Sequence, residues 1–117
     1  MDQWAYSLDI GRRVAVLDAV REVCLHRGWI LLAAHVRANH VHAIVRAEVL
    51  PERVMNAFKS YASRTLNRLE VDDPDRKRWA RHGSTRWLWT NEDVSGAVRY
   101  VVEGQGEPMA VLVGSVP

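Results

Sequence analysis

The spacing of apolar residues changes period repeatedly along this chain, and that alternation restricts the folds open to it more than any single motif does. From Ile10 to Arg27, the residues Val14, Leu17, Val20, Val23 and Cys24 recur at helical steps, with Asp9 placed to cap the start and Gly28 to end it. The next run, Trp29 to Val36, is bulky, apolar and of strand length. Arg37-Ala38-Asn39 reads as a turn, and a second strand runs from His40 to about Glu48, so the two form a hairpin. Pro51 suits the first position of a new helix, where its missing N–H costs nothing, and Val54, Phe58, Tyr61, Thr65, Leu66 and Leu69 carry that helix to about Leu69. Residues Asp72 to Ser84 are polar, include Pro74 and Gly83, and read as a loop. Thr85 to Trp89 alternates like a short strand. Thr90 with Asp93 resembles a capping box, and Val94, Ala97, Val98 and Val101 define a third helix that stops at Gly104. Met109 to Val113 reads as an edge strand or a swapped arm.

That order, with a brief strand at Trp4 to Leu8, predicts one α+β domain over residues 1–117, a ferredoxin-like sandwich with an antiparallel sheet. No apolar run approaches the ~20 residues of a membrane-spanning helix, and Met1-Asp2-Gln3-Trp4 does not open like a secretory leader. A cytoplasmic protein without a membrane partner is expected. The one cysteine, Cys24, sits in a helical pattern, which excludes a disulfide framework and a cysteine-based zinc site.

His40-Val41-His42-Ala43-Ile44 is the most informative stretch. Side chains two apart on a strand point the same way, so His40 and His42 share one face while Val41, Ala43 and Val45 share the other. Two imidazoles on one pleat can reach a single divalent cation, although histidines on a half-exposed strand are also an ordinary structural feature. His26, His35 and His82 read as surface or packing residues, with only His35 close enough in the hairpin to neighbour the pair. On the third helix Tyr100 and Glu103 project from neighbouring positions beside the core stripe. A phenol oxygen near a metal can serve as a nucleophile, with Glu103 or Gln105 completing the coordination. The alternative is a tyrosine at the edge of the core and a solvated glutamate.

The formal net charge of +2 conceals an asymmetry. Between Arg53 and Arg86 nine basic residues face four acidic ones, and arginine supplies fourteen of the sixteen cations in the chain. Arginine forks onto phosphate oxygens and stacks on bases, so the block points to a polyanionic partner or to a solvated helix face. Trp79, Trp87 and Trp89 are interleaved with Arg78, Arg81 and Arg86. Alternation puts Trp87 and Trp89 on one face and predicts at least one of them in the core, leaving Trp79 as the platform for an unstacked base. Tyr61 reads as core.

Ala38-Asn39-His40-Val41-His42-Ala43-Ile44-Val45, the helix after it, and Arg99-Tyr100-Val101-Val102-Glu103-Gly104-Gln105-Gly106 resemble the HUH single-strand DNA transposases, including those of the smallest insertion sequences and the REP-associated tyrosine transposases. The similarity covers roughly Ile30 to Gln105. It implies that His-x-His lies on a central strand and the nucleophile on the C-terminal helix. His40 and His42 would bind Mg²⁺ or Mn²⁺, and Tyr100 would attack DNA to leave a 5′-phosphotyrosine. The best-known members carry a polar ligand four residues after the tyrosine; Gly104 stands there in this chain, and Glu103 and Gln105 bracket it. Arg53, Lys59, Arg64, Arg68, Arg78, Trp79, Arg81 and Arg86 would contact single-stranded or hairpin DNA. The family's first strand has little chain ahead of Ile10 unless Trp4 to Leu8 supplies it. Relatives are often homodimers. The resemblance thus implies metal-dependent nicking and strand transfer, that is, DNA transposition; the alternative is a domesticated module that binds structured single-stranded DNA or RNA without cutting it.

Overall fold

A computed structural model describes residues 6–73, 75–79, 85, 87–88, 90–104 and 109–113. The elements run α1 (Ile10–Arg27), β1 (Ile30–Val36), β2 (Val41–Arg46), α2 (Pro51–Arg68), α3 (Asn91–Glu103) and β3 (Ala110–Val113). Helix α1 begins where Asp9 accepts a hydrogen bond from the Arg12 backbone N–H and ends at Gly28, whose φ of 71° is a left-handed conformation that costs glycine little. The Thr90 hydroxyl caps α3 by accepting from Asp93 N–H at 3.0 Å.

The three strands form an antiparallel sheet in the order β2-β1-β3. The tail strand therefore pairs within its own chain, on the free side of β1. Val36 and Val41 pack with Val16, Ala19, Ala62 and Leu66 on the α1–α2 side, whereas Ala33 and Ile44 pack with Val101, Val94 and Val98 on the α3 side. Helices thus cover both faces, α1 and α2 on one and α3 on the other.

Two sequence expectations need correction. His-x-His was placed on a central strand, yet among the described residues β1 is central and the histidine-bearing β2 lies at an edge. The reason lies in composition. β1 is apolar on both faces, and its last five residues are buried, whereas β2 is buried only at Ile44. Of the strand expected at Thr85 to Trp89, Thr85, Trp87 and Leu88 lie outside any strand, and Arg86 and Trp89 are beyond the described residues.

The ferredoxin-like connectivity requires a strand before α1. Tyr6 to Leu8 is not in one, and Trp4 lies outside the described residues. Leu8 N–H instead donates to the Ala38 carbonyl at the hairpin turn, at 2.6 Å. Tyr6 donates its hydroxyl to Asp72, which also accepts from Arg12 Nη2 at 3.0 Å and Arg78 Nε at 3.4 Å. One carboxylate so ties the N-terminal segment and α1 to the loop after α2. None of the helices among the described residues is long and apolar enough to cross a membrane.

Candidate active site

The hairpin register sets His35 opposite His42 and Ala33 opposite Ile44. Because Ile44 and Ala33 pack under α3, alternation puts His35 and His42 on that same face. His40 and His42 stack nearly parallel, with ring centroids 5.9 Å apart and planes 12° apart. The Asn39 side-chain oxygen lies 2.8 Å from His40 Nδ1, so Nδ1–H donates to it and Nε2 is the ring nitrogen left for an outside ligand. His42 is half-buried, and its pKa is lowered from the ordinary histidine value, first by burial and then by electrostatic repulsion that its protonated form would meet beside His40, His35 and Arg37. A depressed pKa keeps the ring neutral, the form that binds a metal.

A groove of about 770 Å³ runs around the edge strand β2, lined by both histidines and Trp87 and, from the helix on the opposite face of the sheet, by Met55, Phe58 and Lys59 of α2. Lys59 and Arg78 are therefore the predicted DNA-contacting cations that line the same groove as the histidine pair, together with Trp79. Arg53, Arg64 and Arg68 are exposed on α2, whose core-facing residues Ala62 and Leu66 lie on the α1 side of the sheet. Arg64 stacks its guanidinium on the Tyr61 ring at 4.6 Å, and Arg68 reaches the Thr65 hydroxyl at 3.4 Å. Tyr61 is partly buried against the core, as its spacing predicted.

Two predicted contact residues are engaged inward. Arg78 has only 2% of its side chain exposed; its guanidinium is shared between Asp72 and Asn67, the latter at 2.9 Å. Its guanidinium therefore serves an internal carboxylate, while the residue also lines the groove beside the histidine pair. Trp79, expected as the base platform, packs partly buried against the α1–α2 core and donates its indole N–H to Ser63 at 2.7 Å. Of Trp87 and Trp89, at least one of which is expected in the core, Trp87 is 51% exposed on the groove wall and Trp89 lies outside the described residues. Sequence alternation could not separate Trp79 from Trp87, since the partners that decide burial lie far along the chain. Arg81 and Arg86 are outside the described residues.

Tyr100 is exposed on α3, off the stripe of Val94, Ala97, Val98 and Val101 that packs on the sheet. Glu103 is also exposed and does not join the histidines: among the described residues no three His, Cys, Asp or Glu side chains gather closely enough to hold a metal. Gln105 lies outside the described residues. Gly104 has a local reason to be glycine, since a Cβ there would stand 2.8 Å from the Tyr100 carbonyl oxygen and 2.9 Å from its ring. The two imidazoles could supply two nitrogen ligands to a divalent cation, and oxygen donors from other groups would have to complete the set.

The described residues thus form an α+β domain with two imidazoles aligned on one pleat, lining a groove with a lysine and an exposed tryptophan. The chain belongs to the family described as Transposase IS200 like, which it matches over residues 9–93. It therefore stands among the DNA transposases, enzymes of DNA recombination. The matched segment contains His40 and His42 and ends seven residues before Tyr100. Comparisons with curated proteins and with solved structures returned no match.

Proposed function

We propose that this protein nicks single-stranded or hairpin DNA and rejoins it through Tyr100, with His40 and His42 holding Mg²⁺ or Mn²⁺. The observation that carries this reading is the aligned histidine pair, with His40 turned by Asn39 so that Nε2 is free, on the face against which the tyrosine helix packs. A bound divalent cation would polarise the scissile phosphate and offset charge on its oxygens. The Tyr100 hydroxyl loses its proton and its oxygen attacks phosphorus. The bond to the 3′ oxygen breaks, that oxygen takes up a proton as a free 3′-OH, and a 5′-phosphotyrosine remains. The ester energy is kept in the new linkage, so another 3′-OH can reverse the step without ATP. Lys59 and the exposed α2 arginines supply cationic contacts to the DNA backbone.

Exposure of both Tyr100 and Glu103 leaves them open to a second subunit, so a homodimer can complete the site with the tyrosine helix of one copy beside the histidines of the other. Glu103 or Gln105 supplies the remaining protein ligand. The reaction takes place where the DNA is, in the cytoplasm. Incubation with hairpin single-stranded DNA and Mn²⁺, followed by denaturation, should yield a covalent protein–DNA adduct that Tyr100→Phe abolishes. An adduct that survives Tyr100→Phe removes the nucleophile assignment. Binding with no adduct under either metal would support the domesticated binding module instead.

A further inference from the structure

His35 is the polar side chain most deeply set in the sheet, with 0% exposure, and the reaction proposed above gives it no role. Both of its nitrogens are used. Nδ1 lies 3.0 Å from the Val101 carbonyl of α3, and Nε2 lies 3.1 Å from the Met109 backbone nitrogen at the entrance to β3. A carbonyl only accepts and a backbone N–H only donates, so Nδ1 must carry the proton and Nε2 the lone pair. One ring in one tautomer therefore joins β1 to two segments 66 and 74 residues away.

The position of the first bond matters. Val101 follows Tyr100 and lies in the last turn of α3, where carbonyls run out of partners within the helix. Gly104 N–H satisfies the Tyr100 carbonyl at 2.8 Å, and His35 satisfies the next one. The second bond holds the chain at Met109, where it re-enters the sheet, so one side chain bonds both the last turn of α3 and the start of β3. A buried phenylalanine would fill similar space but could bond neither the Val101 carbonyl nor the Met109 N–H.

We propose that His35 is a positioning residue: by anchoring the end of α3 and the start of β3 in its Nδ1–H tautomer, it sets the placement of Tyr100 relative to the sheet face that bears His42. The effect on activity rests on the reading of Tyr100 as nucleophile; the anchor itself does not. In the uniformly ¹⁵N-labelled full chain, a long-range ¹H–¹⁵N spectrum should find His35 protonated at Nδ1 and bare at Nε2. The opposite tautomer, or an imidazolium at pH 7.5, overturns the proposal. His35→Phe should raise amide exchange at least tenfold at Tyr100–Glu103 and at Met109, with α1 unchanged. His35→Asn, which retains a donor near the Nδ1 position, should restore protection at the end of α3 but not at Met109; His35→Gln should do the reverse.

With hairpin DNA and Mn²⁺, His35→Phe should slow adduct formation at least tenfold while DNA affinity stays within twofold, and His35→Asn should recover most of the rate. An unchanged rate in His35→Phe, or equal loss in rate and affinity, refutes the positioning role. Should the wild type form no adduct, the nucleophile reading fails, and the tautomer and the exchange pattern still decide the anchor. Should His35→Phe fail to fold, the wild-type tautomer and the opposed Asn and Gln exchange patterns decide it.

Discussion

At the residue scale the site depends on the protonation of single rings. Burial and neighbouring cations lower the His42 pKa, so between its folded value and the ordinary histidine value of 6.5 the unfolded chain binds a proton that the folded chain resists. Stability rises with pH wherever the unfolded state holds more protons, so His42 costs stability as pH falls through about 6.5 and stops doing so below its folded value. Urea midpoints for the wild type and His42→Gln, measured from pH 7.5 to 5, should show a shallower acid decline in the variant. Parallel declines would mean that the ring is not depressed. The HUH spacing was legible in the sequence because alternation on a strand is a local rule. The orientation of His40 by Asn39 was not read from it, although the two residues are adjacent, because it depends on the turn's geometry.

At the element scale, helices and hairpin follow from signals within a few residues of each boundary: Asp9 and Gly28 for α1, Pro51 for α2, Thr90 for α3. What an element faces is set elsewhere. Trp79 and Trp87 belong to one connection, yet one donates to Ser63 and joins the core edge while the other is half exposed on the groove. Trp87→Ala should weaken binding of short single-stranded DNA by about 1–3 kcal/mol with little change in thermal midpoint. Trp79→Ala should lower the midpoint by several degrees and change affinity less. Fluorescence-anisotropy titration with melting curves checks both, and the opposite ranking would return the base platform to Trp79.

Across the whole molecule, Asp72 is the group on which distant segments converge. Burial alone would raise its pKa; hydrogen bonds from Arg12 and Tyr6 outweigh burial, and the carboxyl sits below its ordinary 3.8. The stability it supplies is complete above that value and is lost as pH falls through the lower folded one. Asp72→Asn should cost about 2–3 kcal/mol at pH 7, because it leaves the buried Arg78 guanidinium without its counter-charge. Denaturant unfolding at pH 7 and pH 3 checks this, with the gap between wild type and variant narrowing in acid. A loss below 0.5 kcal/mol at pH 7 would mean that solvent already screens the cluster. The sequence by itself determined which residues form α1, the hairpin, α2 and α3, and that His40 and His42 share a face, because periodicity, caps and pleat act over a few residues. Only the tertiary structure decided that β1 takes the centre of the sheet, that Arg78 and Trp79 turn inward, and that His35 pins the end of the tyrosine helix. Each of those outcomes depends on which distant groups come to bury or bond the side chain, and no spacing along the chain encodes that encounter.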